Sequence, residues 1–164
     1  MPINGFNKTT LLDYPGKIAS TIFLGGCNFR CPFCQNSSLV LSPTKQPVIS
    51  TEEVLSVLKK RQGILEGVCI TGGEPTSDKE LFLLIDKIKE LGYPVKLDTN
   101  GSHPWILKKL VNDQMIDMVA MDIKSSKESY AKVSGCKNID LTSICESVEF
   151  LLSNVIPYEF RTPV

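Results

Sequence analysis

The chain has no net charge: Lys and Arg together number 18, and so do Asp and Glu. Composition therefore gives no global electrostatic argument for nucleic acid or an anionic membrane as partner. No apolar run is long enough to span a bilayer, and Met1 to Thr10 holds no apolar core of a secretory signal. Both absences point to the cytoplasm. Low-complexity segments and solenoid-type repeats are missing as well. Histidine is nearly absent: His103 stands alone in a loop before Pro104, where a solvated or helix-capping role is expected.

What is present fits one globular domain over residues 1–164, with 42% hydrophobic and 22% charged residues. There are six cysteines, and three of them fall within eight residues. Without a secretory signal, such a cluster implies a metal or redox role rather than disulfides. Cys69 lies inside an apolar strand and reads as core. Cys136 and Cys145 lack cluster spacing.

Strand followed by helix recurs along the chain. Asp13-Tyr14-Pro15-Gly16 is a turn with Pro and Gly in type II positions. Strands are predicted at 18–24, 67–71, 95–99, 117–123 and 158–162, with an irregular stretch at 39–48 that contains Pro43 and Pro47. Ser50-Thr51-Glu52-Glu53 and Ser77-Asp78-Lys79-Glu80 read as capping boxes that open helices. The second helix carries Leu81, Leu84, Ile85 and Ile88 on one face, and Gly92 stops it. Further helices are predicted at 104–111 and 141–152, and Trp105 is assigned to the core. This alternation is an α/β pattern with parallel pairing, either an open doubly wound sheet or a barrel. In both, ligands gather at the carboxyl ends of the strands, where each unusual motif of this chain lies.

The first motif is Cys27-Asn28-Phe29-Arg30-Cys31-Pro32-Phe33-Cys34, spaced C-x3-C-x2-C. A short loop with these gaps can wrap a small cuboidal object, and soft thiolates select iron–sulfur clusters or zinc. Three thiolates leave one iron of a [4Fe–4S] cluster free to bind substrate. Zinc sites more often use C-x2-C pairs. The second is Gly72-Gly73-Glu74-Pro75, where bare glycines let the backbone approach a ligand, or simply make a turn. The third pairs Asp98-Thr99-Asn100-Gly101 with Asp122-Ile123-Lys124. Those carboxylates either cap helices and pair with lysine or serve as hard oxygen ligands. The fourth is Arg161, placed to bind a carboxylate bidentately or to make a surface salt bridge.

The cysteine triplet, with Phe33 before its last member, resembles the radical S-adenosylmethionine (SAM) superfamily motif, and Gly72–Pro75 resembles that family's GGEP motif. The resemblance implies a partial (β/α)6 barrel, with about five β/α units in this chain. It implies that Cys27, Cys31 and Cys34 hold a [4Fe–4S] cluster whose open iron is chelated by SAM. It puts Phe33 near the adenine and Gly72, Gly73 and Glu74 at the SAM amino group. One electron from the reduced cluster then cleaves the sulfonium to methionine and a 5′-deoxyadenosyl radical, with the protein orienting and secluding the cofactors.

Asp98, Thr99, Asn100, Asp122 and Lys124 resemble positions beside the SAM carboxylate in glycyl-radical activating enzymes. There Asp98, Thr99 and Asp122, with a carbonyl such as that of Ala120, would help hold a monovalent cation. Arg161 resembles an arginine near SAM in the same enzymes.

The stretch Gly5 to Gly16, taken with Asn28 to Asn36, is similar to anaerobic ribonucleoside-triphosphate reductase-activating proteins; Gln35 departs from the histidine common there. The implied target is a glycine of that large reductase, and the implied electron donor a flavodoxin or ferredoxin. Pyruvate formate-lyase activation, deazaguanine synthesis and a non-catalytic cluster- or zinc-binding module are the competing readings. Family members continue beyond Arg161-Thr162-Pro163-Val164, so the sequence alone reads as a C-terminally incomplete radical SAM domain.

Overall fold

A computed structural model describes residues 2–162; Pro163 and Val164, with which the expected incomplete end was concerned, lie outside the described residues. Six strands form one sheet in sequence order: β1 (Ile3–Thr10), β2 (Ala19–Leu24), β3 (Gly67–Gly72), β4 (Val95–Thr99), β5 (Met118–Asp122) and β6 (Tyr158–Arg161). β1 runs antiparallel to β2, and the rest pair in parallel. The helices α1 (Ser37–Leu41) and α2 (Thr51–Lys60) precede β3. α3 (Leu81–Glu90) and α4 (Pro104–Asn112) fill the next two crossovers, and α5 (Tyr130–Ser134) and α6 (Leu141–Leu152) the last.

The five parallel strands are those anticipated, and β1 is an addition. Its sequence, INGFNKTT, lacks the period-2 alternation that marks a half-buried strand. The turn after it is Tyr14–Lys17, closed by Lys17 N donating to Tyr14 O at 3.1 Å, with Gly16 at φ 73°. That left-handed φ is the one a type II turn demands after proline.

Strand alternation divides the sheet into two chemical faces. Ile22, Leu24, Val68, Ile70, Val95, Leu97, Val119 and Met121 join the apolar core with Val54, Leu58, Leu84, Ile85, Ile88 and Leu110 of the helices. Register places Thr21, Cys69 and Lys96 side by side on the other face, with Asp98, Ala120 and Glu159 in the next row and Asp122 beside Arg161. That face is polar although much of it is buried, with Lys96 1% exposed. Buried polar groups persist only when paired, so this face is built to hold specific partners.

Several local expectations are corrected. Ser50 does cap α2, its side chain accepting from Glu53 N. Ser77 does not open α3: Pro75–Ser77 is a 3-10 turn, the Asp78 side chain accepts from Glu80 N, and the helix begins at Leu81. Proline's fixed φ explains the detour. The stretch 39–48 is partly helical, taking in the end of α1 and a 3-10 turn at Pro43–Lys45. Trp105 is 64% exposed, because it occupies the outer side of α4 while Ile106, Leu107 and Leu110 turn inward.

Candidate functional site

The carboxyl ends of β2 to β6 enclose a cavity of about 490 Å³, within the range of small-molecule sites. Cys27, Cys31, Phe33, Cys34, Gly72, Gly73, Asp98, Thr99, Asn100, Asp122, Lys124 and Arg161 all line it. Glu74 and Pro75 of the glycine turn, and Ala120, do not.

The cysteine loop leaves β2 at Leu24 and is laid against β3 through close backbone contact. Gly73 N donates to Leu24 O at 2.9 Å and Glu74 N to Gly26 O at 2.8 Å. A Cβ on Gly73 would stand 1.8 Å from Gly26 O, so only glycine fits. Gly72 is at φ 122°, and its carbonyl accepts from Asn36 Nδ2 at 3.0 Å. On the loop's outer side Arg30 N donates to Ser134 O at 2.8 Å, and Cys136 Sγ–H donates to Asn28 O at 3.2 Å. Cys136 thus supports the loop from behind.

Glu74 turns into the protein and is 2% exposed. Its carboxylate accepts from Thr76 N and Oγ1, from Thr99 Oγ1 at 2.8 Å and from Asn100 N at 2.6 Å. Burial raises its pKa, and those donors oppose the rise. The GGEP turn is therefore tied to the end of β4. His103 occupies the N-cap position of α4, its carbonyl accepting from Ile106 N and Leu107 N, but its side chain makes no cap: its Nδ1 pairs with Thr76 Oγ1 at 2.9 Å.

The opposite wall is a ladder of alternating charge. Lys96 Nζ lies 3.6 Å from Glu159 Oε1 and 2.6 Å from Asp98 Oδ1. Arg161 bridges Asp98 Oδ2 at 3.2 Å and Asp122 Oδ1 at 2.9 Å, and Lys124 Nζ reaches Asp122 Oδ2 at 2.8 Å. Burial opposes the charge of Arg161, yet Asp98 and Asp122 hold its pKa above the ordinary value. Cys69 Sγ–H donates to Asp98 Oδ1 at 3.6 Å, and burial, with Asp98 beside it, pushes that thiol up. All four oxygens of Asp98 and Asp122 thus accept from Lys or Arg. Lys96, Cys69 and Asn36 carried no site expectation. A lysine between Val95 and Leu97 in the strand VKLDT was the available signal for the first.

The donor set fits the groups that the sequence implies. Three thiols border one open volume rather than converging on a point; among the described residues no three His, Cys, Asp or Glu side chains gather for a single metal ion. Burial pushes Cys27 up to about 11 and raises Cys31 too, so these two thiols, when free, are protonated at neutral pH and release protons on ligating metal. Lys124 and Arg161 supply positive charge for a carboxylate, and Phe33, 46% exposed, offers a flat ring at the rim.

A protein named "Putative glycyl-radical enzyme activating enzyme" of Methanocaldococcus jannaschii is 35% identical over 136 residues, covering 82% of this chain and 55% of that protein. The 7-carboxy-7-deazaguanine synthase of Halobacterium salinarum is 32% identical over 106 residues, covering 62% of this chain and 40% of the synthase. The chain therefore spans about half or less of the length of these relatives. The structure of native anSMEcpe with bound AdoMet shares the fold at a TM-score of 0.62 and 21% identity, over 84% of this chain and 40% of that one. Among the described residues no helix is long and apolar enough to cross a membrane. The Radical SAM superfamily model matches residues 21–162, from the strand that launches the cysteine loop to the end of the charge ladder, and the chain belongs to that superfamily.

Proposed function

We propose that the protein is a radical SAM activating enzyme that generates a glycyl radical on a large partner, an anaerobic ribonucleoside-triphosphate reductase. The observation that carries this reading is the meeting of three thiols, a glycine turn and an Arg/Lys pair around one cavity. In this reading Cys27, Cys31 and Cys34 hold a [4Fe–4S] cluster. Gly72 and Gly73 offer backbone to the amino end of SAM, Arg161 and Lys124 draw its carboxylate, and Phe33 covers the adenine. Asn100 lines the same cavity, and Glu74 acts from behind by fixing Thr99 and Asn100. When bound and reduced, the cluster supplies the electron that cleaves the SAM sulfonium. The electron comes from a flavodoxin or ferredoxin, which places the protein in a reducing cytoplasm.

A monovalent cation held by Asp98, Thr99 and Asp122 belongs to the same reading. Those carboxylates are already neutralised by Lys96, Arg161 and Lys124, so a cation enters together with an anionic ligand that draws Arg161 and Lys124 away.

Anaerobic reconstitution followed by visible spectroscopy, a SAM-cleavage assay and EPR after mixing with the reductase tests this. Cluster absorbance, SAM-derived methionine and a protein-borne glycyl signal are the expected results. SAM cleavage without any glycyl signal overturns the partner. Deazaguanine formation when a precursor of that ring is supplied in place of the reductase would favour a second reading, for which the 32% identity to a 7-carboxy-7-deazaguanine synthase speaks; that match covers less of the chain.

A further inference from the structure

Cys27 sits inside a bracket of amides. Phe29 N donates to its Sγ at 3.3 Å, and Asn100 Nδ2 stands 4.0 Å from the same sulfur. Asn100 is 5% exposed and held on three sides. Its backbone N–H donates to Glu74 Oε2 at 2.6 Å. Its Oδ1 accepts from Ser102 N at 3.0 Å. Its Nδ2 donates to Asn28 Oδ1 at 2.9 Å, and Asn28 Nδ2 in turn donates to Ser102 Oγ at 2.8 Å. The Ser102 contact fixes the amide orientation, because a backbone N–H must meet the oxygen and so the NH2 faces the cysteine loop. The loop carrying Asn100 is itself anchored: Ser147 Oγ donates to Gly101 O at 2.7 Å, and a Cβ on Gly101 would strike Met121 Cε at 2.1 Å.

We propose that Asn100 is a positioning residue for the cysteine loop, and that its amide, aimed at Cys27, sets the reduction potential of the cluster bound there. The inference rests on the cluster reading above but assigns Asn100 a role toward sulfur rather than toward SAM. An N–H facing a thiolate ligand stabilises the more negative, reduced cluster and raises its potential. Glu74 fixes the backbone of Asn100, and Ser102 and Asn28 hold its side-chain amide, so the effect is built in before any substrate arrives.

The test compares wild type, Asn100→Asp and Asn100→Ala after anaerobic reconstitution. Iron and sulfide content is measured first, and the midpoint potential is then read by EPR-monitored titration. Asp keeps the size and the Ser102 contact but cannot donate; Ala removes the amide without adding charge. Both variants are expected to load iron and to titrate at a lower potential than wild type, Asp lowest. An unchanged potential in the loaded variants overturns the proposal and leaves the cluster reading intact. Failure of both variants to load, while wild type loads, also overturns it, because the bracket is then scaffold alone. Failure of the wild type to load overturns the cluster reading and this proposal with it. If Ala unfolds, Asn100→Leu, which keeps the bulk, carries no donor and adds no charge, takes its place beside Asp.

Discussion

The two walls of the cavity are held by different forces. On the β2–β3 side the cysteine loop is set by backbone hydrogen bonds, amides and a glycine contact with no room for a methyl group. On the β4–β6 side six alternating charges cross three strands, from Glu159 to Lys124. The first wall tolerates little change of shape, which suits thiols that must meet a fixed polyhedron. The second can exchange partners, since an incoming carboxylate replaces an aspartate as ligand to Arg161 or Lys124 without adding unpaired charge. One wall is geometric and the other electrostatic, and substitutions should separate them.

The largest effect belongs to the geometric wall. Cys31→Ala is expected to abolish [4Fe–4S] loading, as are Cys27→Ala and Cys34→Ala, whereas Cys136→Ala and Cys145→Ala load fully; iron and sulfide analysis after reconstitution reads this directly. Full loading of the Cys31 variant would remove the cluster from this loop. Next comes the buried centre of the ladder. Lys96→Met leaves Asp98, 9% exposed, with Arg161 as its one remaining cation, and should cost about 3 kcal/mol in urea unfolding. A cost below about 1 kcal/mol would mean that Arg161 compensates alone.

A glycine pair sharpens the contrast. Gly73→Ala drives a Cβ to 1.8 Å from the Gly26 carbonyl, and rigid backbone cannot yield; about 2 kcal/mol is expected. Gly16→Ala meets nothing within 4 Å and pays only for its φ of 73°, about 1 kcal/mol. Equal costs at the two positions, measured by chemical denaturation, would show that the β2–β3 wall is softer than its hydrogen bonds suggest.

These walls were not equally legible in the sequence. The cysteine spacing is local, and a loop of eight residues announces itself whatever surrounds it. Asp98 and Asp122 were legible as strand ends, because the parallel strands were placed within a residue or two. The ladder was not, since its rungs depend on register: Asp122 faces Arg161 only because β5 and β6 pair where they do. Lys96 was overlooked for the same reason. β1 hid behind a sequence with no alternation, and the Ser77 capping box failed because Pro75 bends the chain before a helix can begin. The inward turn of Glu74 follows from four donors on two separate segments, which no linear motif displays.

The smallest effect concerns ions at the electrostatic wall. Each oxygen of Asp98 and Asp122 already accepts from a lysine or arginine, so a free monovalent cation finds no vacant ligand there without SAM. Unfolding of the ligand-free protein should therefore be indifferent to whether sodium, potassium or a bulky organic cation is present at matched ionic strength. In the proposed reading SAM would change the balance: its carboxylate would compete for Arg161 and Lys124, and the released aspartate oxygens would be hard ligands suited to an alkali ion. SAM affinity should then vary a few-fold with the cation, on the order of 1 kcal/mol or less. Asp122→Asn removes one of the two charges and should flatten that variation while leaving cluster content unchanged. Titrations of the reconstituted protein in the three salts decide the matter. Equal SAM affinity in all of them would mean that Arg161 and Lys124 stay on the aspartates when SAM binds and that the ladder needs no cation.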